Sequence, residues 1–377
     1  MINCTSTLPI RPRNNPFIGY YSIHVIADII SRINHMPFLY PINLLGMIAV
    51  QEKDVKIHLD NIMDLKIIPN KIIKDSDLLK TNIVEKVIKK GLEEGWIIEE
   101  SRRFYSCSCG KTEFIEEMEN LFERKSKRTV YKIINNTPIC NFCNSEAVMY
   151  DEIVLLLKIP VDILLFNQII FIQDYFEKDL KNQLKELRGK DILISRKRSR
   201  GVSILLYNKL FYMDIDFIYM IYLYYLYEMG FYVDTFIIGS KIAKQTAMSL
   251  IVSSLMNIQL PNKIVAIPYL SFTNDLNIST FEFLTLYGGK NLRLILSTSF
   301  GANKKELNLN SSFIYQAKQS LNNKNYDLTC KKYCPLDFIS LWQGYSVDKI
   351  MRLVSSLRKP SINLSEKDKL LLEYLIG

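Results

Sequence analysis

Two apolar runs with one helix's length between them constrain this chain most. Phe231–Gly239 reads FYVDTFIIG, and residues 263–270 read KIVAIPYL. Both are short and rich in β-branched and aromatic residues, so they read as buried strands. The residues between them, 240–257, carry a helical pattern. A strand, a helix and a second strand make a crossover unit, which joins parallel neighbours. The predicted class is therefore α/β with a parallel sheet.

The other segments fit that class. Residues 17–34 read as a loop leading into an amphipathic helix with Ile23, Ile26, Ile30 and Ile33 on one face. Residues 64–73 hold short β-branched runs. Residues 76–95 read as a helix lined by Ile83, Val87, Ile88 and Leu92. A polar helix starting near 175 ends at Gly189, and a helix over 281–296 is broken at Gly288–Gly289. Residues 301–377 carry a mostly polar helical pattern. The chain has 377 residues, 48% of them hydrophobic, which excludes a disordered chain and suggests two or three structural units. The longest apolar stretch, FIYMIYLYYLY at 217–227, falls well short of the roughly 20 residues a membrane span needs, so it reads as a buried helix. No apolar signal core follows Met1. A cytoplasmic protein without a membrane partner is expected, its cysteines reduced, buried or metal-bound.

Four groups of residues are candidates for chemistry. Cys107, Cys109, Cys140 and Cys143 place four thiols within 37 residues. Two closely spaced pairs can close a tetrahedral zinc site, and the C-x-x-C pair has knuckle spacing; four reduced structural thiols are the alternative. The loop from Thr7 to Tyr20 places Asn14 and Gly19 ahead of a helix, where backbone N–H groups suit a phosphate; taken alone, an ordinary strand-to-helix turn is the simpler reading. Arg196, Lys197, Arg198 and Arg200 form a basic loop. With a net charge of +9 (48 basic against 39 acidic residues) it fits an anionic partner such as RNA, or else a solvated turn. Asp214 and Asp216 flank the Tyr-rich run, either orienting a small cationic group or capping a helix. His24 reads as a satisfied, partly buried imidazole.

In order along the chain, these pieces resemble a class I aminoacyl-tRNA synthetase, closest to the methionyl type. P-R-N-N-P-F-I-G-Y and the helix after it resemble the loop P-x-x-N-G-x-x-H-I-G-H. LISRKRSRGVSI resembles the I-S-R-x-x-x-x-G-x-x-I segment, and LFYMDIDF resembles a W-x-D-A segment. FIIGSKIAKQ resembles F-I-G-K-D-I-x-x-x-H, and YGGKNLRLILSTSFG resembles the helix holding Y-G-x-D-x-x-R. The resemblance spans about 10–310. It implies a Rossmann-like nucleotide-binding domain in two halves, 1–98 and 151–300. A zinc-knuckle connective insertion at 99–150 separates them, and a short helical region, 301–377, follows. It further implies ATP and nucleotide contacts at Asn14, Phe17, Gly19, Tyr20, Gly239, Lys241 and Arg293. Asp214 would belong to an amino-acid pocket, and tRNA or another RNA would be a partner.

The departures lie at the ATP-handling signatures. H-I-G-H stands as Phe17-Ile18-Gly19-Tyr20, and no lysine occurs between Lys263 and Lys290, where K-M-S-K-S belongs. The Asp of Y-G-x-D is Lys290, and the His after G-K-D-I is Gln245. Losing one preorganised donor costs about 3–4 kcal/mol in a transition state. The expected function is a degenerate synthetase-like protein that binds nucleotide, amino acid or RNA. Alternatives are an active adenylate-forming ligase, an enzyme passing an aminoacyl group to a non-standard acceptor, and a protein-interaction module.

Overall fold

The structure, a computed structural model, contains a six-stranded sheet. With labels in chain order, its strands are β1 (Ile2–Thr7), β2 (Phe38–Ile42), β3 (Lys71–Lys74), β9 (Ile170–Phe171), β13 (Phe231–Gly239) and β14 (Lys263–Ile267). They pair in the order β3-β2-β1-β13-β14-β9, every neighbour parallel. The structure describes all residues except 46–49, 110–111, 115–129, 136, 163–167, 197–201, 273–278, 302–303, 313, 316–348, 350–352, 354–363 and 377.

β13 coincides with the first apolar run. The second run divides. Pro268 has no N–H for a ladder, so β14 stops at Ile267. The chain resumes as β15 (Tyr269–Phe272), paired in parallel with β16 (Glu306–Leu309). A single turn of 3-10 helix at Ile18–Tyr21 opens α1 (Ser22–Ile33), which buries Val25, Ile26, Ile29, Ile30 and Ile33. The Tyr-rich run becomes two helices, α5 (Ile215–Met220) and α6 (Tyr222–Glu228), with Tyr222, Tyr225 and Leu226 buried. Among the described residues no helix is long and apolar enough to cross a membrane.

The chain splits into two compact units: Met1–Ile83, Ile163–Leu187 and Ile218–Gly377 form one, and Val84–Asp162 with Arg188–Phe217 form the other. The first holds the parallel sheet, α1, α2 (Glu52–Asp64), α4 (Asp174–Leu187), α6, α7 (Ala243–Leu255), α8 (Thr280–Tyr287), α9 (Gly289–Ser297) and α10 (Glu366–Ile376). One apolar cluster joins residues of α1, β2, α2, α9, β16 and α10. The region 301–377 therefore contributes a strand and a helix to this core.

The second unit opens with α3 (Ile83–Glu94). It contains a four-stranded antiparallel sheet of β4 (Ile97–Ser106), β5 (Thr112–Phe114), β8 (Val148–Lys158) and β10 (Asp191–Leu193), in the order β10-β8-β4-β5. β4 and β8 pair from Ile97↔Leu157 to Ser106↔Val148. That unbroken ladder carries the unit beyond the expected insertion 99–150 on both sides. Two hairpins complete it: β6 (Tyr131–Ile134) with β7 (Thr137–Cys140), and β11 (Ser203–Leu206) with β12 (Lys209–Tyr212).

Candidate functional site

Strand order reverses at β1. From β1 the chain builds β2 and β3 to one side, while β13 and β14 lie on the other. In open parallel sheets the crevice outside the strands' carboxyl ends, at such a switch point, is where ligands bind. The residues there come from the loop after β1, the end of β2, the turn after β13, and β15.

The loop after β1 is held by α8. Thr280 N–H donates to the Pro16 carbonyl (2.9 Å), and its hydroxyl donates to the Phe17 carbonyl (3.0 Å). Ser279 caps α8 in a reciprocal box with Glu282. Asn14 is exposed at a bend. The Phe17 ring is 39% exposed and lies 5.6 Å from Tyr269 and 5.8 Å from Tyr20. The Tyr20 hydroxyl donates to the Arg11 carbonyl, and the Arg13 guanidinium sits 5.3 Å above its ring. Burial pushes this phenol well above its usual range, with Arg13 opposing, so it stays protonated.

Gly19 has a packing reason. A Cβ there would lie 2.8 Å from Leu270 Cβ and 3.0 Å from the Leu270 carbonyl oxygen. Glycine lets β15 close on the loop, and the space its side chain would fill belongs to protein. Gly239 is similar but looser, its missing Cβ facing Ile23 Cδ1 at 3.2 Å. Lys241 Nζ lies 3.6 Å from the Tyr269 ring centroid and 3.3 Å from Glu306.

Asn43, at the end of β2, is a residue that sequence reasoning passed over. It is 1% exposed. Its Nδ2 donates to the Tyr219 hydroxyl (2.6 Å) and its backbone N–H to the Ile10 carbonyl (2.7 Å). Its Oδ1 has no partner. A buried carbonyl oxygen left without a donor costs about 1–3 kcal/mol. The one available signal was an Asn directly after the apolar strand FLYPI.

Arg293, which the resemblance assigns to the nucleotide, is fully buried. Its Nη2 donates to Asp28 Oδ2 (2.7 Å), and Nη1 donates to the carbonyls of Leu65 (3.1 Å) and Lys66 (3.2 Å). The guanidinium thus ties α9 to α1 and to the end of α2. Asp214 and Arg196 lie in the second unit and form an ion pair. Asp214 Oδ1 also accepts from the Asp216 N–H (3.2 Å), capping α5. Lys197, Arg198 and Arg200 lie outside the described residues.

Under the crevice runs a layer of buried polar groups. Tyr21 and Tyr40 hydroxyls lie 3.1 and 3.0 Å from the two ring nitrogens of His58. His24 Nε2 is 3.3 Å from Thr7 Oγ1, while its Nδ1 has no partner. Burial lowers His24 to about 3, with His58 adding to the effect, and lowers His58 to about 4. Both imidazoles are neutral at pH 7.

In the second unit, the Sγ atoms of Cys107, Cys109, Cys140 and Cys143 all lie within 4.8 Å of one another. Cys107 follows β4. Cys140 ends β7, and the turn after it closes through Asn144 N–H to the Cys140 carbonyl (2.9 Å). Cys109–Cys140 and Cys107–Cys143 sulfurs are each 3.7 Å apart. Thiolates at about 2.3 Å from a tetrahedral zinc stand roughly 3.8 Å from one another. Hydrogen bonds from the Ser145 hydroxyl and backbone N–H lower the Cys143 thiol to about 6. Burial opposes ionisation of Cys107, but hydrogen bonds from Cys109 and Cys140 outweigh it and lower that thiol too. The four cysteines could hold a metal ion.

No protein-family model matches this sequence, and no curated protein matches it. Solved structures do. Mycobacterium tuberculosis methionyl-tRNA synthetase in complex with methionyl-adenylate matches with a TM-score of 0.63 at 14% identity, over 100% of this chain and 82% of that one. The same organism's enzyme bound by methionyl-adenylate in a second structure gives 0.63 at 12% identity, over 100% and 89%. The apo form gives 0.55 at 12%, over 100% and 87%. The fold is methionyl-tRNA synthetase-like. At these identities the likeness is one of fold, and the class I synthetase-like architecture expected from the ordered motifs is present across the whole chain.

Proposed function

We propose that this synthetase-like chain binds a free amino acid in the switch-point crevice and is impaired in converting it to an adenylate. The observation that carries the reading is Asn43. Its Oδ1 is buried at the end of β2 without a partner, an acceptor that an α-ammonium admitted there would satisfy, and its Nδ2 is already fixed by Tyr219. A nucleotide is the second ligand, along the loop bearing Asn14, Phe17, Gly19 and Tyr20 and the turn bearing Gly239 and Lys241. RNA is the third, through Arg196, Lys197, Arg198 and Arg200. Zinc held by the four cysteines would cross-link the end of β4 to the β6–β7 hairpin.

Impaired activation follows from what replaces the lost imidazoles and lysines. Phe17 offers no donor, and Tyr20 donates to a loop carbonyl. Lys241 is engaged by Glu306 and the Tyr269 ring. Arg293 is locked between helices. Amino-acid-dependent ATP–pyrophosphate exchange on zinc-replete protein, run with all the standard amino acids, tests this. The expected result is negligible exchange together with calorimetric binding of an amino acid, methionine being the first to try. Rapid exchange would overturn the impairment, and no binding of any amino acid would overturn the pocket.

A further inference from the structure

An open groove beside α2 takes no part in that reading. It encloses about 1280 Å³. Leu59, Ile62 and Ile67 line its floor, and Met63, Ile68 and Ile72 its walls. Met63 is 61% and Ile68 67% exposed, so the hollow keeps large aliphatic side chains in water. Its size exceeds the roughly 300–1,000 Å³ of an ordinary metabolite pocket, which favours a macromolecular occupant.

Charge and chemistry narrow the class. Lys53, Lys56, Lys66 and Lys74 line the groove against Glu52 and Asp60, leaving a net positive rim. Among the described residues, no aromatic or arginine side chain lines it. Single-stranded nucleic acid relies on aromatic stacking, and an aliphatic floor offers none. β3 is last in the sheet order, but it has four residues with a lysine at each end, a pattern that resists strand addition. We propose that this groove docks an amphipathic helix of a partner protein. That helix would carry aliphatic side chains at i, i+3 or i+4 and i+7, and carboxylates along the flanks to meet the lysine rim.

The test is fluorescence anisotropy on the full chain with a labelled helical peptide carrying leucines at those positions and glutamates elsewhere. Micromolar binding that weakens with salt is expected. Met63→Glu and Ile68→Glu change exposed positions, so the fold should persist, with the circular dichroism spectrum unchanged. Each should weaken binding by about tenfold or more, as should the Lys53→Glu/Lys56→Glu double variant. A control peptide with lysine for every glutamate should bind at least about tenfold more weakly. Absent binding, or binding indifferent to the variants, overturns the proposal. So does binding of an oligouridylate RNA or of phosphatidylserine vesicles that the same substitutions abolish.

Discussion

At the residue scale, Asn43 joins two opposed effects. Its Nδ2–Tyr219 bond stabilises by about 1 kcal/mol, and its orphan Oδ1 costs a similar amount. Asn43→Ala is therefore expected to leave the denaturation midpoint nearly unchanged while weakening amino-acid binding about tenfold or more, read by calorimetry. An asparagine with a structural role alone would leave amino-acid binding unchanged. The buried histidines set a pH dependence. Their folded pKa values, about 3 and about 4, lie below the usual imidazole value. The fold thus takes up fewer protons than the unfolded chain, and the stability contributed by the neutral rings is complete above pH 6.5. It declines as pH falls toward 4, by up to about 1.4 kcal/mol per pH unit for each ring. Urea denaturation between pH 7.5 and pH 5 should show that decline. His58→Gln, which retains a donor and an acceptor without titrating, should reduce the slope by about half, leaving the share of His24.

At the scale of elements, the Arg293–Asp28 pair decides how α1, α2 and α9 meet. Two carbonyls at the end of α2 also depend on the guanidinium, because helix ends leave carbonyls without partners inside the helix. Breaking a buried pair by removing one partner costs about 3–5 kcal/mol. Arg293→Met should lose that much in urea denaturation. The sequence singled out this arginine through a motif, yet its partners come from distant positions, so its role was not legible locally. The junction of α8 and α9 is a second case. Gly288 has φ +80, and a Cβ on Gly289 would lie 1.9 Å from the Asp64 carbonyl oxygen. The break in helical pattern at these glycines was visible in the sequence. That α2 passes against the second of them was not. Gly289→Ala should destabilise by about 3 kcal/mol or more, measured by thermal unfolding, while Ala at exposed Gly230 should cost less.

At the scale of the molecule, the two units predict separable behaviour. If zinc joins the four thiols, a chromogenic chelator should extract one zinc per chain from native protein. Cys140→Ser should abolish that stoichiometry and expose the β6–β7 hairpin to protease, while leaving amino-acid binding in the parallel-sheet unit intact. Retained zinc in the Cys140→Ser protein would place the metal elsewhere.

Local pattern was enough for the class of the fold. Buried β-branched runs can satisfy their backbone only in a covered sheet, and a helix between two of them demands parallel pairing. The cysteine grouping was equally legible, because knuckle spacing is a short-range property. The unit boundaries were not, since the β4–β8 ladder joins residues about fifty apart in sequence. The same holds for the site. Gly19, Tyr20 and Lys241 stood out as motif residues, but only tertiary packing shows Leu270, the Arg11 carbonyl and Glu306 occupying them. Sequence determines which side chains can bond. The folded chain determines which donors and acceptors are already taken, and among the described residues it leaves Asn43 Oδ1 without a partner.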